Sequence, residues 1–222
     1  MSQEAPHESR GLRRLAPAMI RLLIAVAALA ALAAAVLSVA RRRWNAATAA
    51  MRGRLLADAA PQAGVFAAAA LDGLPAPVAR YLRAVLRDGQ PMPRHVRIDW
   101  AGEFNMGRPG SDRWVPFTAR QDFVPGAPGF VWDARMRTAG IVVNVRDGLV
   151  DGEGSMLGRL LGLATVVDRR GGEAMAVAAL QRCLGEAIWL PTALLPGQGV
   201  LWQAVDERRA KATMTSGGAR AT

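Results

Sequence analysis

The chain has 222 residues and a formal net charge of +10, with one Cys and two His. Residues 1–54 hold nine Arg against two Glu, so +7 of that charge sits in the first quarter of the chain and only +3 elsewhere. A nucleic-acid-binding face needs a basic stripe on the folded part, and none is present.

A single cysteine, Cys183, excludes an internal disulfide and a thiolate metal cluster. With His7 in the N-terminal tail, a His-based metal site or a Ser-His-Asp triad would rest on His95 alone. Lys211 is the only lysine. Together with the abundant Ala, Gly and Pro, this fits the coding bias of a GC-rich bacterium, so Arg counts alone do not mark phosphate or carboxylate forks.

Residues 1–17 read as a basic tail. Residues 18–40, AMIRLLIAVAALAALAAAVLSVA, carry no charge from Leu22 to Ala40. A spanning helix needs about 20 mostly apolar residues, and this segment qualifies. Arg21 can snorkel, Arg41-Arg42-Arg43 closes the segment, and Trp44 falls at interfacial depth. Ser38-Val39-Ala40 would serve as a cleavage motif, but the apolar run is longer than the 7–15 residues of a signal peptide. A single-pass, uncleaved membrane helix is expected. Arginines on both flanks leave the side of the following domain undetermined, with the bilayer as the expected partner.

Residues 41–73 read as an Ala/Arg-rich helical linker broken at Pro61, and residues 74–215 as the folded domain. LPAPVARYLRAVL, 74–86, is a helix with Pro77 in its first turn and an apolar stripe of Val78, Tyr81, Leu82, Val85 and Leu86. The period then changes to two. Val96, Ile98, Trp100 and Phe104 alternate with Arg97, Asp99 and Glu103. Val115, Phe117, Ala119 and Phe123 alternate with Thr118, Arg120 and Asp122. Phe130, Trp132, Ala134 and Met136 alternate with Val131, Asp133, Arg135 and Arg137. Ile141, Val143 and Val145 oppose Asn144 and Arg146. Four such runs in series predict an antiparallel meander with one wet face, and 149–154 could add a fifth short strand.

GSMLGRLLGLATVVD, 154–168, is expected to open with a short helix capped by Ser155. Residues 175–190 predict the main helix, with Val177, Leu180, Leu184 and Ile188 on one side and Pro191 ending it. Residues 199–205 and 209–215 read as a strand pair, and 216–222 as a frayed tail. The fold class is α+β: an N-terminal transmembrane helix, then a curved antiparallel sheet packed with one or two helices.

Alternation makes Trp132 a core residue and Asp133 its outward neighbour. The alternative places Asp133, Arg135 and Arg120 in a cleft. Arg182 and Glu186, at i and i+4, can pair on the helix; a catalytic Glu186 would need a positioned second group. Trp189 and Leu190 open an apolar loop with two prolines, which either packs over the core or rims a ligand cavity. Cys183 reads as a small buried hydrophobe. EF-hand, dinucleotide-binding, phosphate-loop and nucleophile-elbow spacings are missing, so neither a metal nor a cofactor is expected.

LPAPVARYL, WVPFTARQDF, PGFVWDARM and EAIWLPTALLP, in that order over residues 74–215, resemble a bacterial family of domains of unknown function. The resemblance implies a membrane-associated or exported β-rich domain with no established activity. Family members tend to carry an aromatic where Cys183 stands, and further strands beyond the point where this chain stops, so a C-terminally truncated member is expected.

Three functional readings follow. A binding module would hold an apolar or lipid-like small molecule against Trp100, Phe117, Phe130, Trp132 and Trp189, with Asp133, Arg135 and Glu186 at its polar margin. An enzyme would use Asp133 and Glu186 as its acids. A structural or non-functional copy would do neither. Convergence of Asp133 and Glu186 separates the second from the first.

Overall fold

The computed structural model describes residues 9–57, 59, 64–138 and 140–222. Most of the expected N-terminal tail, with His7, and the expected break at Pro61 lie outside these residues. Two units are distinguished, residues 1–43 and residues 44–222. Helix α1 (Ser9–Ala57) provides all the described structure of the first and continues into the second. It is long and apolar enough to cross a bilayer, a test that a signal sequence near the N-terminus also passes.

In the second unit, a 3₁₀ turn (Ala68–Leu71) precedes helix α2 (Ala76–Val85). Pro77 stands in its first turn, as expected, where a missing N–H costs nothing. Six strands then follow as an uninterrupted antiparallel meander: β1 (Val96–Asn105), β2 (Trp114–Val124), β3 (Gly129–Thr138), β4 (Ile141–Val150), β5 (Glu153–Leu160) and β6 (Ala164–Arg170). The sheet is open, with β1 and β6 as its edges. Helix α3 (Glu173–Glu186) runs into successive 3₁₀ turns over Ala187–Gln198. A second, three-stranded antiparallel sheet closes the chain: β7 (Leu201–Ala204), β8 (Ala210–Ser216) and β9 (Ala219–Ala221).

The structure corrects three expectations. The segment expected to open with a helix capped by Ser155 is instead the hairpin of β5 and β6. Its leucines fit either period, but Gly154, Gly158 and Gly162 weaken a helix, and the exposed edge of β4 offers a ladder from Val143–Leu160 to Val150–Glu153. Residues 219–221 pair with β8 rather than fray, and Ala219 and Ala221 are buried. Of the stripe expected on α3, Leu180 is fully buried and Val177 and Leu184 pack partly buried on the core, where Ala176, Ala179 and Cys183 join them, whereas Ile188 lies in the 3₁₀ turn beyond the helix and is exposed. Small alanines let the helix axis come close to the sheet.

One face of the six-stranded sheet, with Ala119, Phe123, Phe130, Trp132, Ala134 and Met136, packs on α2, α3 and the 3₁₀ turns to form the main core. The opposite face, expected to be wet, is partly covered by residues 44–57 of α1. There Leu55 and Met51 pack on Val124, Val131 and Val150 as a second, smaller core. Gly129 and Gly148 make room for them: a Cβ at Gly129 would lie 2.8 Å from Leu55 Cδ1, and one at Gly148 would lie 2.5 Å from Met51 Cε. Trp44 is buried against this face. Its indole N–H donates to Asp133 Oδ1 at 2.8 Å, and the Arg146 guanidinium lies 4.7 Å from its ring centroid.

Candidate functional site

The even-numbered residues of β1 and the odd-numbered residues of β2 face the main core. This parity brings Val96, Ile98, Trp100, Gln121 and Phe123 to one wall, and Glu186, Trp189 and Leu190 close it from the end of α3. Together they line a cavity of about 370 Å³, within the size range of small-molecule sites. The Trp100 and Trp189 rings meet edge to face at 4.8 Å between centroids. Trp189 is 54% exposed, so its side chain has room to move.

The polar end of this cavity is anchored in the core. Gln121 is fully buried, and its Nε2 donates to Glu186 Oε2 at 2.5 Å. Arg182 Nε donates to Glu186 Oε1 at 2.8 Å, and Arg182 Nη1 donates to Asp147 Oδ2. The same guanidinium lies over the rings of Phe130 and Trp132, at 4.7 and 5.1 Å from their centroids. Burial pushes the Asp147 carboxyl above its ordinary value, and the charge and hydrogen bond of Arg182 oppose that only in part. Burial, reinforced by Glu186, pushes the Cys183 thiol up to about 12, with Arg182 opposing. Cys183 is therefore an inert core residue.

Two polar atoms at this wall have no partner among the described residues: Gln121 Oε1 and Trp100 Nε1. The amide orientation is dictated by charge, because Nε2 must face the Glu186 carboxylate and Oε1 is thereby left as a free acceptor. Both atoms are shielded in this arrangement, one an acceptor and one a donor behind an otherwise apolar wall.

A second cavity, of about 550 Å³, lies on the other face of the sheet, with Asn45, Arg52, Asp99, Arg120, Asp133 and Arg135 in its lining. It is polar, and most of its charged side chains are engaged by neighbours. Arg120 Nε donates to Asp99 Oδ1 at 2.9 Å, and Asp133 is held by Trp44. Beside it the fully buried Asp122 takes His95 Nε2 at 2.8 Å, Arg97 Nε at 2.9 Å and Arg52 Nε at 2.5 Å. The Arg52 approach is a meeting of charges rather than an aligned hydrogen bond. Burial alone would push the Asp122 carboxyl up, but hydrogen bonds from His95 and Arg97 and the Arg52 charge outweigh it and hold it below its ordinary value.

The eight residues singled out by sequence therefore separate. Trp100, Glu186 and Trp189 share the apolar cavity. Phe130 and Trp132 are core, and Phe117 packs on Trp132 at 5.9 Å between centroids. Asp133 and Arg135 line the polar cavity on the opposite face. The sheet stands between Asp133 and Glu186, so the two acids do not converge. Among the described residues no group of three or more His, Cys, Asp or Glu could hold a metal ion.

The chain belongs to the family of unknown function DUF6544. Residues 64–222 match it, so every residue of the apolar cavity lies within the family region, whereas Trp44 and Arg52 precede it. No curated protein and no solved structure matches the chain.

Sequence reasoning missed Gln121 and Asp147. Gln121 sits at a core-facing position of an alternating strand, between Ala119 and Phe123, and a polar residue there is itself a signal. Asp147 precedes a glycine and reads as a turn. Its core-facing position follows only once β4 is seen to extend to Val150.

Proposed function

We propose that this DUF6544 protein is a membrane-anchored binding module. It would take an apolar small molecule with one hydrogen-bonding end into the cavity that Trp100 and Trp189 help to line. The observation that carries this reading is the pair of unpartnered atoms, Trp100 Nε1 and Gln121 Oε1, in an apolar wall. A buried polar group left unmade costs about 1–3 kcal/mol. A ligand hydroxyl, which both accepts and donates, would relieve both atoms once Trp189 turns aside to admit it. The apolar remainder would lie against Val96, Ile98, Phe123 and Leu190. The separation of Asp133 from Glu186 speaks against the enzymatic reading, and the length and apolarity of residues 18–40 support the anchor.

The test is native mass spectrometry of the full chain released from lipid nanodiscs. The wild-type chain should retain a small-molecule adduct. Ile98→Trp, which fills the cavity, should lose it, while adducts held elsewhere on the chain persist. Gln121→Leu should retain it up to about tenfold less, the worth of one hydrogen bond. Bare wild-type protein, or an adduct equally retained by Ile98→Trp, refutes the reading.

A further inference from the structure

In an antiparallel meander alternate turns fall at the same end. The β1–β2, β3–β4 and β5–β6 connections, at 106–113, at Gly140 and at 161–163, therefore share one end of the sheet, and those at 125–128 and 151–152 share the other. The two ends differ in chemistry. The first end carries Met106, Trp114, Ile141, Leu161 and Leu163, each 41–58% exposed. Among the described residues of 125–128 and 151–152, no large hydrophobic side chain is exposed.

Turn chemistry sharpens the contrast. At the second end the tight turn is Asp151-Gly152, with Asp151 at φ 54°, an ordinary choice for left-handed backbone. At the first end the equivalent position is Leu161, at φ 52°. A leucine there is costly, and its side chain stays 42% exposed. These tips are also held in place. Leu161 N–H donates to Val142 O, Leu163 N–H donates to Leu160 O, and Arg113 Nη2 donates to Thr138 Oγ1 across two hairpins.

Charge and connectivity point the same way. Arg108, Arg113, Arg137 and Arg159 stand at this end against Glu103 and Asp112, and Asp112 is already engaged by Asn105 Nδ2 at 2.8 Å. Residues 44–57 run from Trp44, over Asp133 and Arg146 in the middle of the sheet, to Leu55, over Val124, Val131 and Val150 at the second end. Within this unit the segment therefore runs away from the apolar tips, and in sequence the stretch of spanning composition ends at Ala40, shortly before Trp44.

From this juxtaposition we infer that the three hairpin tips form a docking surface for an anionic lipid bilayer. Met106, Trp114, Ile141, Leu161 and Leu163 enter the headgroup region, and the neighbouring arginines meet lipid phosphates. Aromatic and basic residues are the side chains that settle at that depth, and an anionic surface attracts each nearby arginine by about fivefold in affinity. The inference rests on the anchor proposed above.

The test uses the full chain in nanodiscs of phosphatidylcholine and phosphatidylglycerol doped with a nitroxide-quencher lipid. An environment-sensitive fluorophore is attached at Leu29→Cys, Met106→Cys, Leu163→Cys or Glu153→Cys. Cys183 is fully buried and stays unlabelled. Labels at 106 and 163 should shift to the blue and be quenched by lipid, whereas a label at 153 should report water. Arg113→Ala with Arg137→Ala should lower the docked-to-undocked ratio by roughly tenfold or more, and high salt should do the same. If 29 is quenched while 106 and 163 behave like 153, the docking surface is overturned and the anchor stands. If 29 is not quenched either, the anchor fails and the docking surface with it. Labels at 106 and 163 that are shielded without lipid quenching, and that cross-link between copies, would assign the tips to protein contact and overturn the inference as well.

Discussion

Asp122→Asn is expected to lower the stability of the sheet domain by about 3 kcal/mol at pH 7, at the lower end of what breaking a buried pair costs. Asp122 is fully buried, and two guanidiniums and an imidazole converge on it from three places: Arg52 on α1, His95 just ahead of β1, and Arg97 on β1. The amide keeps the shape and removes the charge. Arg97 is about half exposed and can turn to water, whereas Arg52 is largely enclosed and is left facing a neutral group. For a domain of this size the loss corresponds to a fall in Tm of roughly 6–12 °C.

The pH dependence has a definite sign. The folded Asp122 carboxyl is held below its reference value of 3.8, because the His95 and Arg97 hydrogen bonds and the Arg52 charge outweigh burial. Its stabilisation is therefore fully present above that value and is lost as pH falls through the lower folded value. Thermal unfolding of the full chain, followed by near-ultraviolet circular dichroism from pH 7 down to pH 3, should show this acid limb in the wild type and a flatter one in Asp122→Asn. An unchanged Tm, or an acid limb that survives the substitution, would remove Asp122 as the tie between α1 and the sheet.

Much of the architecture was legible because its signal is local. Period-two runs such as Phe130, Trp132, Ala134 and Met136 name a strand and its inward face without reference to anything distant. What escaped depends on partners far away in sequence. The face of Asp133 and Arg146 looked wet because nothing nearby in sequence covers it; its cover, Trp44 and Thr48, lies 89 and 98 residues earlier. The β5–β6 hairpin escaped because its leucines satisfy both periods, and the free edge of β4 decided between them. The site was half legible. Trp100, Glu186 and Trp189 were singled out and do meet, whereas Phe130 and Trp132 were singled out by the same aromatic signal and are core. Aromatic content does not distinguish a wall from a filling; an unpaired polar atom beside it does.

That distinction connects the cavity to the ion cluster behind it. Glu186 faces both ways, holding Gln121 at the cavity wall and Arg182 in the core. Arg182 in turn neutralises Asp147 and covers Phe130 and Trp132. The orientation of Gln121, and hence the direction in which its carbonyl oxygen points, is set by the Glu186 carboxylate, which Arg182 in turn holds in place.

Arg182→Met should therefore be the more damaging change, at about 3–5 kcal/mol near pH 7. Methionine fills much of the volume, so the loss is mainly electrostatic: Asp147 and Glu186 are left buried without their cation. Burial already raises the folded Asp147 carboxyl above 3.8, with Arg182 the main opposing influence. A group raised in this way stabilises fully below its unfolded value and loses that contribution as pH rises through its folded value. Without Arg182 the folded value moves further up, so the difference in Tm between variant and wild type should be large at pH 8 and narrow steadily toward pH 4. Adding Asp147→Asn to Arg182→Met should recover much of the loss at pH 8, because it removes the stranded charge rather than restoring the pair. Arg182→Lys should recover less, since an ammonium cannot bridge Asp147 and Glu186 with a planar fork or lie flat on two rings. A pH-independent deficit in Arg182→Met, unrelieved by Asp147→Asn, would mean that Arg182 acts through packing alone and that the acceptor at Gln121 is set without it.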